Sequence, residues 1–276
     1  MLLSDTEIRF DFGDARFSLP EDRDALGWVF SQFLYGEVTG IQVGHWIYNA
    51  PDLDRAQFLV RQCAQELSHV RLMCRILERL GVEPRPAHRL VRFLSTGLMG
   101  ADWEEHVCLE MALGEGYVLT VFLALIDTVP DADVQRMLTI AAKQEATHVA
   151  FGEQQTQLAA RNPRMRQRLL GMSLVSLLGM QQLARQIERR TRPGHPVWSR
   201  LPQFARHATS VTELRLQRMG LLESPLSRMS TARRLRLLAA GLTARALAPL
   251  KPARRRRITS RYLQDPQIQS VLRSAG

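Results

Sequence analysis

The sequence predicts an all-α fold: a four-helix bundle with a small N-terminal β-hairpin before it and extra C-terminal helices after it. Three observations predict it. Long segments are bounded by residues that start and stop helices. A helix pair is written twice along the chain. At 276 residues and 45% hydrophobic content the chain can bury a sizeable core. The organisation that follows is a hairpin segment over 1–20, a helical bundle over 21–190 and a basic helical extension over 191–276.

The elements follow in order. "IRFDFGDARFSL" alternates apolar and polar residues around Gly13-Asp14 and predicts the hairpin. A long helix is expected from about Asp24 to Asn49. Pro51 and Asp52 start the next, from about Leu53 to Leu80, and Gly81 stops it. "GVEPRPAHR" is a proline-rich connector leading to a short helical stretch around Leu90 to Leu94. A third long helix is expected from about Ala101 to Asp127 and, after Pro130 and Asp131, a fourth from about Asp133 to Ala160. A fifth, apolar, covers Met165 to Glu188. "TRPGHPVW" breaks the chain, and Leu201 to Gly276 reads as two or three short basic helices.

Composition narrows the function classes. No 18-residue run is free of charge, so no membrane-spanning helix is expected. The start lacks a basic stretch followed by an apolar one, which argues against a secretory signal. Cys63, Cys74 and Cys108 are an odd set with no C-x-x-C pair, so neither a disulfide framework nor a zinc knuckle is expected. The expected location is the cytoplasm, with room for a peripheral position at a membrane surface. The formal charge of +10 is unevenly spread: residues 1–160 carry a net −10 and residues 161–276 a net +20. Such asymmetry points to an anionic partner for the C-terminal part.

The repeat carries the chemistry. "GEVTGIQV" from Gly36 and "GEGYVLTV" from Gly114 set Glu37 and Glu115 at matching places. "QELSHV" from Gln65 and "QEATHV" from Gln144 follow, 29 residues after Glu37 and 30 after Glu115 when counted to Glu66 and Glu145. Residues three apart share a helix face, with Cβ atoms roughly 5–6 Å apart. Glu66 with His69, and Glu145 with His148, can therefore each grip one object. Two antiparallel helices bring residues about 30 apart back to one height, since 15 residues span roughly 22 Å. Packed face to face, the two hairpins would converge four carboxylates and two imidazoles. Such carboxylates repel one another strongly in a low-dielectric interior, and two divalent cations would cancel the charge. Oxygen plus imidazole without thiolate suits iron or manganese. Glu110, five positions before Glu115, competes for the same role but breaks the repeat.

The set Glu37, Glu66-x-x-His69, Glu115 and Glu145-x-x-His148 resembles the ferritin-like di-iron carboxylate superfamily over about residues 24 to 160. The resemblance implies a ferritin-like bundle, with these six residues as metal ligands and catalytic centre. It implies two iron ions, or a manganese/iron pair. It implies a non-haem di-iron oxidoreductase, an oxygenase or oxidase drawing on O₂ and an external electron donor to oxidise a small-molecule or acyl-type substrate. Ferritin-type ferroxidases and a tRNA hydroxylase share the pattern and stay open as alternatives. A carrier protein, a membrane surface or, less favoured for want of interleaved aromatics, RNA is the expected anionic partner. A homodimer is also open.

Other residues are weaker candidates. Gly36, Gly40, Gly44, Gly114 and Gly116 serve close helix packing or leave space beside the metals. Tyr35, Trp46 and Tyr117 read as core aromatics, Cys63 as a small buried hydrophobe, and His45 and His106 as structural.

Overall fold

The computed structural model describes residues 3–97, 100–188, 194–247 and position 266. Among them every regular element is helical. Four long helices form the bundle: α1 (Leu19–Gly40), α2 (Leu53–Leu80), α3 (Trp103–Thr128) and α4 (Ala132–Ala160). Helix α5 (Pro163–Glu188) lies against α3, and α6 (Leu201–Arg218) and α7 (Thr231–Leu247) follow.

The expected chain punctuation works as chemistry. The Asp52 carboxylate accepts the Arg55 N–H at 2.9 Å and starts α2. Gly81, at φ +63°, ends it in the left-handed conformation that glycine adopts without cost. Asp131 accepts from the N–H groups of Asp133 and Val134 at the start of α4. Asp102 caps the first turn of α3 through the Glu105 N–H.

Two helices depart from uniform α geometry. Helix α1 tightens into a 3₁₀ stretch over Ile41–Asn49, which begins after the low-propensity Gly40 and contains Gly44. Helix α3 is an α-turn (Trp103–His106), a π-helical stretch (Val107–Glu115) and then a regular helix (Gly116–Thr128). This α3 is long and apolar enough to cross a membrane, which the sequence reading did not anticipate, and most of it is buried in the fold.

The N-terminal β-hairpin is not formed. Residues Asp5–Ile8 make one helical turn, and the rest has no strand partner. The Phe17 N–H donates to the Thr128 carbonyl at the end of α3, not to a facing strand, and the Gly13 N–H is taken by the Asp11 side chain. The alternation reports burial, not pairing: Ile8, Phe12 and Phe17 face the core while their neighbours face solvent. Phe10 and Phe12 pack on Phe204 of α6, with ring centroids 5.8 and 5.7 Å apart. The segment is a strap whose apolar side closes one end of the bundle.

Packing places the site. Helices α1 and α2 pack closely, as do α3 and α4, and α2 meets α4 across the middle. Helices α1 and α3 touch through side chains such as Phe33 on Phe122, ring centroids 4.9 Å apart. Between these two helices lies a cavity, with α5 and α6 contributing to its walls. The "two or three" basic helices expected after Leu201 are α6 and α7 among the described residues. The four consecutive arginines Arg254 to Arg257, part of the basic extension expected to meet an anionic partner, lie outside them.

Candidate metal centre

The helices bring all six repeat residues together. Glu37 comes from α1, Glu66 and His69 from α2, Glu115 from α3, and Glu145 and His148 from α4. They form two donor groups, Glu37/Glu66/His69/Glu145 and Glu66/Glu115/Glu145/His148. Within each group one donor atom per residue lies within 4.8 Å of all the others. Glu66 and Glu145 belong to both groups. His69, His148, Glu37, Glu66 and Glu145 are buried, and Glu115 is partly exposed toward the cavity.

The geometry has an approximate twofold symmetry that follows from the repeat. His69 Nδ1 is 3.2 Å from Glu37 and 3.2 Å from Glu145. His148 Nδ1 is 3.4 Å from Glu66, 3.5 Å from Glu115 and 3.6 Å from Glu145. The other ring nitrogens point outward to amide oxygens on the opposite helix. His69 Nε2 meets Gln144 Oε1 at 2.7 Å, and His148 Nε2 meets Gln65 Oε1 at 2.7 Å. An amide oxygen only accepts, so each Nε2 carries its hydrogen and each Nδ1 presents a lone pair inward when neutral. Gln62 adds one more restraint, donating to Glu115 Oε1 at 2.6 Å.

The residues fit a bound metal. Glu66 Oε1, Glu115 Oε2, Glu145 Oε2 and His148 Nδ1 are buried polar atoms without a hydrogen-bond partner, and all belong to the second donor group. Leaving one such atom unsatisfied costs about 1–3 kcal/mol, so four converging at one point need a common partner. An all-oxygen and imidazole donor set suits a divalent transition metal.

The electrostatics of the metal-free cluster agree. Burial drives the Glu37 carboxyl well above its ordinary range, with Glu145 and Glu66 adding repulsion. Glu115 is raised well above for the same leading reason, then by repulsion from Glu145, Glu66 and Glu37. Burial also pushes Glu145 up, but the His148 and His69 imidazoles beside it outweigh that and leave this carboxyl lowered. Burial pushes the His69 imidazole down, but Glu145, Glu37 and Glu66 outweigh it and hold its pKa far above normal. Without a metal the cluster keeps protons that an unfolded chain would release.

Glycines make the room. A Cβ on Gly40 would stand 2.7 Å from Glu66 Oε2, so any larger residue there would push the shared carboxylate away. A Cβ on Gly36 would meet nothing, and Gly36 lines the cavity. The two readings of the glycine stripe therefore divide by position.

The cavity, about 320 Å³, starts at Glu37, Glu66, Glu115 and Glu145 and runs along α3 between apolar walls. Tyr117 lines it, and burial pushes its phenol up to about 12, so it stays protonated. Tyr35 is not among the lining residues, and His45 faces solvent. Trp46 stacks on His106 at 4.8 Å. His106, expected to be structural, also lines the cavity, and its Nδ1 lies 3.0 Å from Glu110 Oε2. Glu110 lines the cavity too but joins neither donor group. Sequence reasoning left Gln65, Gln144 and Gln62 without a role. The first two were visible as the opening letter of both repeat motifs. No protein-family model, no curated protein and no solved structure matches the chain.

Proposed function

We propose that this chain is a non-haem di-metal oxidoreductase of the ferritin-like type, an oxygenase or oxidase acting on an apolar organic substrate. The observation that carries the reading is the pair of four-residue donor groups sharing Glu66 and Glu145 and bordering a largely apolar cavity. Glu66 and Glu145, shared by both groups, would hold one ion together with Glu37 and His69 and a second together with Glu115 and His148. Iron is the first choice and a manganese/iron pair the second. When bound, such a centre supplies electrons to O₂.

The chain's own residues do the rest. Gln144 and Gln65 hold the two imidazoles in the ligand tautomer. Gln62 orients Glu115, the ligand that borders the cavity. Apolar walls exclude water from the reacting end. The test is reconstitution with Fe(II) under anaerobic conditions, followed by elemental analysis and exposure to O₂. We expect one ion per donor group, loss of at least one in Glu66→Ala and in His148→Ala, and a transient visible absorption on mixing with O₂. Full metal occupancy in both variants overturns the ligand assignment. Accumulation of an iron mineral, with many ions stored per chain, overturns the oxygenase reading in favour of a ferroxidase.

A further inference from the structure

We propose that Glu110, backed by His106, anchors a hydrogen-bond-donating group, an O–H or N–H, on an otherwise apolar ligand and turns anions away from its end of the cavity. That the anchored ligand is a substrate rests on the function proposed above; the anchor itself does not.

The two stretches that depart from α geometry build this place. Gly40, Val43 and Trp46 are three residues apart, so the 3₁₀ stretch sets them in one row. A Cβ on Gly40 would press on Glu66, Val43 lines the cavity, and Trp46 stacks on His106 with ring centroids 4.8 Å apart and planes 15° apart. On α3, Glu110 follows His106 by four residues, and Glu115 follows Glu110 by five across the π stretch. All three line the cavity. A polar row therefore leads along this wall away from the donor groups, with the apolar Val43, Leu109 and Leu113 around it.

Glu110 stands as an acceptor. Its Oε1 accepts the Gly100 N–H at 2.9 Å, and its Oε2 lies 3.0 Å from His106 Nδ1. Both contacts suit a carboxylate, which only accepts. Only a glycine comes this close, because a Cβ on Gly100 would collide with the His106 backbone nitrogen. The Glu110 side chain is 22% exposed and that of His106 1%, so the carboxylate is what a ligand meets and the imidazole is its backing.

His106 is costly where it stands. Neither ring nitrogen has a hydrogen-bond partner in line, although Nδ1 stands beside Glu110. Buried polar atoms left unsatisfied destabilise a fold, and a phenylalanine could stack on Trp46 without that cost. A residue that breaks the rule for buried polar groups is expected at a functional site.

Charge selects the ligand. Glu110 belongs to neither donor group, so ions held there would leave it uncompensated. No lysine or arginine is among the described lining residues, and the one basic side chain there, His106, already faces Glu110. A carboxylate or phosphate group at this end would be a buried charge without a partner, which is strongly disfavoured. An O–H or N–H group would instead give Glu110 a charge-assisted hydrogen bond. An alcohol or an amine fits; a free acid does not.

The experiment uses four probes of nearly one shape: ethylbenzene, benzyl alcohol, benzylamine and benzoate. Each is titrated by calorimetry, without oxygen, into the Fe(II)-loaded and the metal-free protein. Glu110→Gln keeps an acceptor for the Gly100 N–H, and circular dichroism should stay unchanged. In it we expect ethylbenzene affinity to hold within about twofold, at least one of the alcohol and the amine to weaken about tenfold, and benzoate to bind more tightly. Whichever donor weakens identifies the group that Glu110 holds. His106→Phe keeps the stack on Trp46 but frees Glu110 from one of its two restraints. It should weaken the same donor relative to ethylbenzene, and His106→Asn, which returns an N–H near the place of Nδ1, should restore it. Neither donor weakened more than ethylbenzene in Glu110→Gln, or benzoate not strengthened there, overturns the anchor. Equal loss in His106→Phe and His106→Asn overturns the backing role of His106. The expected pattern in a protein that takes up no Fe(II) would keep the anchor and discard the oxidoreductase; Fe(II) uptake without the pattern would do the opposite.

Discussion

Gln65 and Gln144 show how much of the centre is decided one atom away from the ligands. Each accepts the Nε2 hydrogen of the histidine on the opposite helix at 2.7 Å, so each imidazole has one orientation and one inward lone pair. Replacing either glutamine with leucine removes that acceptor with little change in size. We expect metal affinity to fall about 10–100-fold, measured by competition with a chelator, with the fold intact. The protons of the metal-free cluster give a second expectation. Glu37 and Glu115, raised from an ordinary 4.5, favour folding in their protonated forms. Their contribution is therefore full below 4.5 and lost as pH climbs through the raised values. His69, raised from 6.5, has the same sign: full below 6.5 and lost as pH rises through its folded value. Glu145, lowered from 4.5, acts oppositely and contributes only above that range. The metal-free chain should therefore lose thermal stability as pH rises from about 4.5. Metal loading near neutrality should release protons from Glu37, Glu115 and His69. Calorimetric titration in buffers of different ionisation heat reads that release, and an unchanged apparent heat across buffers would refute it.

Among the elements, α3 carries the departure that matters most. On an α-helix Glu110 and Glu115 would lie 140° apart, at 100° per residue. The π-helical stretch Val107–Glu115 adds residues per turn, so positions five apart approach one another, and both carboxylates reach the cavity. Glu110 instead accepts the Gly100 N–H at 2.9 Å and faces His106. Glu110→Gln should retain full metal content, whereas Glu115→Gln should empty the Glu66/Glu115/Glu145/His148 group, both read by elemental analysis. Equal loss in the two variants would mean that Glu110 is a ligand as well. This element also shows what a sequence can and cannot disclose. The Glu-x-x-His motifs were legible because helix periodicity and a repeat constrain them from both sides. The bounds of α2, Leu53–Leu80, were legible because Asp52 and Gly81 are local signals. The π stretch is hard to read because Val107–Leu113 is apolar at every position but Glu110, so a slip in helical phase leaves no mark on the pattern. The strap failed for a related reason: alternation records which side chains are buried, and a single extended segment across helices alternates as a hairpin does. Gly40 was noticed, but its reason, the 2.7 Å approach to Glu66, is tertiary.

The whole molecule joins an acidic half that holds the candidate metal ligands to a basic half whose helices α5 and α6 line the cavity beside them. Residues 1–160 carry a net −10 and residues 161–276 a net +20. Part of that positive charge is structural. Arg215 of α6 is buried and pairs with Glu153 of α4 at 2.7 Å, against Gly116, where a Cβ would stand 3.0 Å from its Nε. Arg168 of α5 pairs with Asp102 at 2.8 Å, near the start of α3. Other arginines stand exposed on α7. Helix α7 docks on α5 where Gly241 meets Gly171, and its outer side exposes Arg233, Arg234 and Arg236 beside the exposed Leu235 and Leu242. Arginines interleaved with exposed leucines on one helix match an anionic bilayer surface, whose headgroups attract each cation by about 1 kcal/mol and whose interior accepts the leucines. The protein should therefore sediment with vesicles containing phosphatidylserine and not with purely zwitterionic ones. The double change Arg233→Glu and Arg236→Glu should abolish this without altering metal content, because both side chains are exposed and far in sequence from every ligand. Raising the salt should weaken the wild-type association, since exposed charges are screened beyond about 8 Å at physiological ionic strength. Retained sedimentation in the double variant would place the attraction elsewhere in the basic half. Equal sedimentation with zwitterionic vesicles would show that the leucines alone suffice. Either result would remove α7 as the electrostatic contact.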